Sequence, residues 1–195
     1  MTYVIDQESY VDADKLLQIA EQLAPIVANK SQLDPFLFDI AREDGAYGDL
    51  TDTHPSEREN VASYAALVYG GDVDPQLKEI LGETYDLMTS LQGLTLATLF
   101  FIAPHSVVPR HIHDMERPEY DYTPEYNVFL GISVPSEETE FVGAQIGKDV
   151  YNNANGRALI FDYQVPHSAW NNTDDWWLGI IFYIDKECFN ESSDA

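Results

Sequence analysis

The hydrophobic pattern of this chain changes period near residue 93. Before that point, Leu16, Ile19, Ala20, Leu23 and Val27 recur at i, i+3, i+4 and i+7, the spacing of one buried helical face. This predicts a first helix, with Asp12 as its cap and Pro25 limiting its regularity near the end. Asp74-Pro75 predicts the start of a second, a capping residue followed by proline, carrying Leu77, Ile80, Leu81, Thr84 and Met88 inward. Residues 31–60 are rich in Asp, Gly, Thr and Pro and read as loop, with a shorter helix predicted over 56–69. Beyond residue 93 the apolar runs become short, β-branched or aromatic, and are separated by turn residues. Strands are predicted over 94–103, 107–113, 125–134, 140–147, 157–161, 165–170 and 176–185, and so many in so short a stretch imply a barrel or sandwich. Asn152, Asn153, Asn155 and Gly156 tolerate positive φ, and predict a turn joining two of these strands as a hairpin. The expected organisation is one domain over 1–195, a helical support region at 1–93 beneath a β core at 94–189.

Composition narrows the function classes. The 195 residues are 45% hydrophobic and 12% aromatic, which is enough apolar matter for a real core, yet the formal net charge is −24. That charge repels phosphate backbones and anionic lipid surfaces, and no Lys/Arg cluster breaks it locally, so neither nucleic acid nor membrane is an expected partner. A saline habitat also produces such an acid excess, so charge alone does not speak to activity. The single cysteine, Cys188, precludes an intramolecular disulfide. The first residues lack the basic and apolar regions of a secretory signal, and the longest apolar run, 94–103, is half of what a spanning helix needs, about 20 residues. A cytoplasmic protein is expected.

The candidate chemistry lies in the histidines. In a strand, residues two apart project to one face, so His111 and His113 present two imidazoles side by side with Arg110 and Ile112 turned away. His167, in Val165-Pro166-His167-Ser168, can complete a facial triad from a neighbouring strand. Neutral imidazole suits Fe, Zn, Cu and Ni alike, and histidines so spaced also occur as hydrogen-bonded side chains with no metal.

Gly156-Arg157-Ala158-Leu159-Ile160-Phe161-Asp162, then His167-Ser168-Ala169-Trp170-Asn171-Asn172, then a strand ending Phe182-Tyr183-Ile184-Asp185, closely resemble the closing segment of the aspartyl/asparaginyl β-hydroxylase family. Pro104, seven residues before His111, and Leu130-Gly131-Ile132-Ser133 fit the same pattern, so the resemblance covers about residues 94–186. It implies a double-stranded β-helix, a cupin-like jelly roll that is mainly β with N-terminal helices. It also implies a non-heme Fe(II) oxygenase using O2 and 2-oxoglutarate on a small-molecule or amino-acid-like substrate. Mapped residue by residue, it makes His111 and His167 iron ligands, while His113 falls where family members carry an Asp ligand or a Gly. A set of His111, His113 and His167 leaves the metal at its full charge, as in dioxygenases that need no 2-oxoglutarate.

The cosubstrate positions depart further. The two arginines that the family sets against 2-oxoglutarate align with Asn127 and Trp177, and neither makes the bidentate charged pair of a guanidinium with a carboxylate. Asn127, Trp177, Phe129 and Arg117 are the expected pocket residues, Arg117 reaching in from a long loop at 114–124 that serves either as a substrate lid or as an acidic surface loop. Glu116 and Glu119 read as loop acids, and Asp162 and Gln164 as outer partners of His167. Trp170, Trp176 and Trp177 are expected to cluster, with Trp177 facing the barrel interior. The alternatives are a 2-oxoglutarate-independent dioxygenase, or a cupin-like binding module without catalysis.

Overall fold

A computed structural model describes residues 3–29, 32–33, 36–40, 62–69, 75–112 and 125–190. In chain order the strands are β1 (Val4–Ile5), β2 (Phe38–Ile40), β3 (Ala62–Tyr69), β4 (Leu94–Ile102), β5 (Ser106–His111), β6 (Glu125–Ser133), β7 (Val142–Ile146), β8 (Asp149–Tyr151), β9 (Ala158–Asp162), β10 (His167–Asn171) and β11 (Trp177–Asp185). They form a seven-stranded sheet ordered β1-β9-β6-β11-β4-β3-β2 and a four-stranded sheet ordered β5-β10-β7-β8. Val108 and Val142 of the small sheet pack with Phe100, Phe129 and Trp177 of the large one, so the two sheets close on each other as the expected jelly roll.

Strand alternation sorts the side chains. On β6, Val128, Leu130 and Ile132 point to the outer face, while Asn127 and Phe129 point between the sheets. On β11, Leu178, Ile180, Phe182 and Ile184 point outward and Trp177 inward. Helix α1 (Ala13–Val27) covers the outer face with Leu16, Ile19, Ala20, Leu23 and Val27, the residues its period predicts. Fully burying each Leu or Ile is worth about 1.5–3 kcal/mol, which is what holds the helical layer on the sheet.

Several elements differ from expectation. Asp12 stands at the N-cap of α1 but makes no capping bond; its carboxylate accepts from Gln92 N at 2.8 Å and pairs with Lys15, tying the helix start to the turn before β4. The second helix is two, α2 (Pro75–Leu81) and α3 (Glu83–Thr89), broken at Gly82, whose φ of +54° suits glycine. Leu77, Leu81, Thr84 and Met88 remain buried across the break. Over the described part of 56–69 the chain is strand β3 rather than helix, because pairing with β4 satisfies its backbone and outweighs local propensity. With β1 and β2, it makes the N-terminal half a contributor to the large sheet as well as a helical support. The turn ending at Gly156, with its φ of +74°, does not close a hairpin: β8 pairs with β7 in the small sheet and β9 with β6 and β1 in the large, so the turn carries the chain between sheets. The missed hairpin is β7–β8, turned at Gly147 with a φ of +61°.

Candidate metal centre and its cavity

His111 ends the edge strand β5 and His167 begins β10, and the antiparallel register sets the two opposite one another. Val108 pairs with Ala169 while His111 pairs with His167, so two residues of β5, Pro109 and Arg110, oppose the single Ser168. This bulge lets Val108 and His111, an odd number of residues apart, face the same cavity. Proline suits the place because it has no N–H to give the ladder. The Arg110 guanidinium instead donates to Gly147 O at 2.7 Å, bracing the bulge against the β7–β8 turn.

The rings of His111 and His167 lie 4.3 Å apart between centroids. Nδ1 of His111 meets Pro109 O at 2.7 Å, and Nδ1 of His167 meets Val165 O at 2.8 Å. A carbonyl only accepts, so each Nδ1 carries the proton and each Nε2 keeps the lone pair, the tautomer a metal requires. Burial pushes the His111 imidazole below its ordinary pKa. His167 is lowered to about 4, mainly by burial and then by His111 beside it, with Arg110 acting in the same direction. Both rings are therefore neutral at pH 7. This donor set fits a borderline divalent cation such as Fe(II), which His111 and His167 would hold. Asp162 and Gln164 do not orient His167 as expected: Asp162 pairs with Lys186 and accepts from Gln164 N, leaving the Val165 carbonyl as the orienting partner.

The histidines open onto a cavity of about 50 Å³ between the sheets, walled by Phe100, Val108, Phe129, Ile146, Phe161 and Ile181. Phe161 stands edge-on to His167 with centroids 4.9 Å apart. Asn127, 2% exposed, lines the cavity, and its Oδ1 has no hydrogen-bond partner. Among the described residues, no Lys or Arg lines it.

The structure brings together His111, His167, Asn127 and Phe129. Trp177 is fully buried between the sheets, as expected, but it stands behind Phe129 at 5.2 Å between centroids rather than on the cavity wall. Asn127 is paired with Tyr183 while Leu178, next to Trp177, is paired with Ser133, which puts the two positions roughly 20 Å apart along the strands. The expected tryptophan cluster is absent too: Trp176 packs against the outer core, and the half-buried Trp170 donates to Thr139 O and covers Gly143. His54, His113, Glu116, Arg117, Glu119 and the loop at 114–124 lie outside the described residues. Among the described residues no group of three or more His, Cys, Asp or Glu is gathered for a metal. Nor is any helix there long and apolar enough to cross a membrane. The reading of single residues missed Phe161 and Ile181 as cavity walls; their signal was alternation, since both pair across from inward-facing β6 residues.

Residues 49–184 match the family described as Aspartyl/Asparaginyl beta-hydroxylase. A segment of 102 residues is 28% identical to an ornithine lipid ester-linked acyl 2-hydroxylase of Rhizobium tropici, covering 52% of this chain and 33% of that protein. The match therefore spans about a third of that relative's length. Among solved structures, a prolyl-4-hydroxylase of Pseudomonas putida is 12% identical, with 91% of this chain and 89% of that chain covered at a TM-score of 0.49. A cupin-2 domain from Rhodospirillum rubrum is 9% identical, with 76% and 68% covered at a TM-score of 0.42.

Proposed function

The chain belongs to the aspartyl/asparaginyl β-hydroxylase family, and from that premise we propose that it is an Fe(II)-dependent oxygenase acting on a small-molecule or amino-acid-like substrate. His111 and His167 are two of the ligands and His113, two residues along the chain, is the third. The observation that carries this reading is the pairing of two buried imidazoles across β5 and β10, each with Nδ1 held by a carbonyl. When bound, the iron supplies O2 activation. The residues of the chain do the rest. The two carbonyl bonds hold the imidazoles in one tautomer and orientation, the Phe161 edge limits rotation of His167, and the apolar walls keep water from the reacting space.

Among the described residues no cation lines the cavity for the far carboxylate of 2-oxoglutarate, and Asn127 stands where the resemblance expects an arginine. This favours the 2-oxoglutarate-independent reading, a three-histidine dioxygenase, over family chemistry with a substitute anchor such as Arg117. The test is iron content of anaerobically purified protein, for the wild type and the His111→Ala, His113→Ala and His167→Ala variants, followed by O2 uptake with and without 2-oxoglutarate. Stoichiometric iron lost in all three variants, with iron-dependent O2 uptake on a substrate panel, is the expected result. Iron retained in His113→Ala, with uptake that needs 2-oxoglutarate, restores ordinary family chemistry. Absence of iron from every sample overturns the oxygenase reading and leaves a binding module.

A further inference from the structure

The cavity beside His111 and His167 is short, and one aromatic ring closes it. Asn127 pairs across the ladder with Phe161, whose ring meets His167, so Asn127 marks the histidine level of the barrel. Phe129 is two residues further along β6 on the same inward face, about 7 Å deeper. On one side it lines the cavity. On the other it packs with Ile102, Val142 and Trp177, all fully buried and none of them on the cavity wall. From this we infer that Phe129 is a specificity-determining residue, the floor that limits the group entering beside the histidines to a short aliphatic segment of about four non-hydrogen atoms. The inference rests on the proposed site and deepens it by fixing the size of the substrate group bound there.

The ring of Phe129 is held from three directions. Phe100 meets it edge-on at 6.2 Å between centroids, and Trp177 backs it at 5.2 Å. Gly179 of β11 lies against it: a Cβ there would come within 2.5 Å of Phe129 Cε2, so glycine is what lets the ring approach the strand so closely. A ring packed in this way has no free space behind it to swing into. The cavity it leaves, about 50 Å³, is about four times what a single water needs, which sets the length of the group. Val108, Ile146, Phe161 and Ile181 make the walls apolar, so each methylene that enters gains by leaving water. Past the floor, the next carbon must either displace a packed ring or stay in water, and the gain stops.

The test uses two homologous series, n-alkanols and n-alkanoates of two to eight carbons, whose different head groups separate the effect of length from that of charge. Each is titrated at pH 7 into the full-length chain, as purified and after chelator treatment. Binding is read from NMR shifts of the Ile146 and Ile181 methyls and of the Trp177 indole N–H, which is buried without a partner. Metal content is measured on the same samples. In whichever series binds, wild-type affinity is expected to rise about fourfold per added carbon and to level off at about four carbons, with the Trp177 signal unmoved. In Phe129→Ala the rise should continue for about two more carbons, and the Trp177 N–H should shift as the chain reaches it. Phe129→Leu, which keeps more of the packing, should lengthen the limit by about one carbon, and it decides the matter should Phe129→Ala fail to fold by circular dichroism. Phe182→Leu, the same change on the outer face, should leave the limit where it is. A wild-type rise that continues through the octyl probes overturns the inference. So does a limit unchanged in the Phe129 variants, a limit that moves equally in Phe182→Leu, or silence with every probe. Iron-free protein that keeps the limit removes the oxygenase reading and leaves the floor standing. Iron-bound protein without a limit does the reverse.

Discussion

The two faces of the large sheet are built from the same strands and do opposite work. The outer face of β6 and β11 presents Val128, Leu130, Ile132, Ile180, Phe182 and Ile184 to a core that includes the buried face of α1, and the result is a closely packed hydrophobic layer. The inner face of the same strands presents Asn127, Phe129 and Trp177, and there the packing is incomplete: a cavity remains, and both Asn127 Oδ1 and Trp177 Nε1 are buried without partners. Close packing supplies stability on one side, while the other side leaves space and unsatisfied polar groups, the arrangement that the proposed site requires. A core that has only to be stable gains nothing from a buried acceptor. Its presence two residues from Phe129 distinguishes the inner face from the outer one.

The largest effect should come from breaking the outer face. Phe182→Ala is expected to cost about 3–5 kcal/mol, with a fall in thermal midpoint that circular dichroism will detect. A loss no greater than that of an inward substitution would erase the distinction between faces. Gly131→Ala is next: its new Cβ meets the Ala154 carbonyl and lies 2.7 Å from Asn153 Oδ1, so overpacking should cost about 1–3 kcal/mol without touching the histidines. On the inner face, His167→Leu in metal-free protein should change stability by only about 1 kcal/mol, the worth of one hydrogen bond, while abolishing metal retention. Paired melting and metal analysis would show whether stability and binding separate in this way.

The smallest effect concerns the edge where the two faces meet. Glu125 is paired across the strands with Asp185, and burial first, then this repulsion, raise its carboxyl above the ordinary 4.5, against a Thr95 hydrogen bond that lowers it. The folded state thus holds the proton more tightly than the unfolded one. Glu125 contributes stability below pH 4.5 that is lost as pH rises through its folded value. Glu125→Gln should therefore raise the thermal midpoint slightly at pH 7 and leave it unchanged at pH 4. Melting curves at both values check the sign.

The sequence by itself determined the elements whose information is local. The buried face of α1 followed from its period, most of the strands beyond residue 93 from alternation and turn residues, and His111 and His167 from imidazoles set in strand contexts that resemble a known family. Alternation allowed only one of Trp176 and Trp177 to face inward, and the family resemblance nominated Trp177. Other features were decided only by tertiary structure, because they depend on which strands become neighbours. The 62–69 segment is a strand because β4 offers it a ladder, and the Asn-rich turn crosses between sheets because β9 finds β6 rather than β8. Asp12 serves Gln92 instead of its own helix, and Gly82 splits what periodicity joined. Above all, the bulge at Pro109 and Arg110 turns His111 into the cavity, and the register of β6 on β11 sends Asn127 and Trp177 to different ends of the barrel. Position along the chain encodes which face a residue takes; the partners it meets on that face arise from long-range pairing, whose register no local pattern contains.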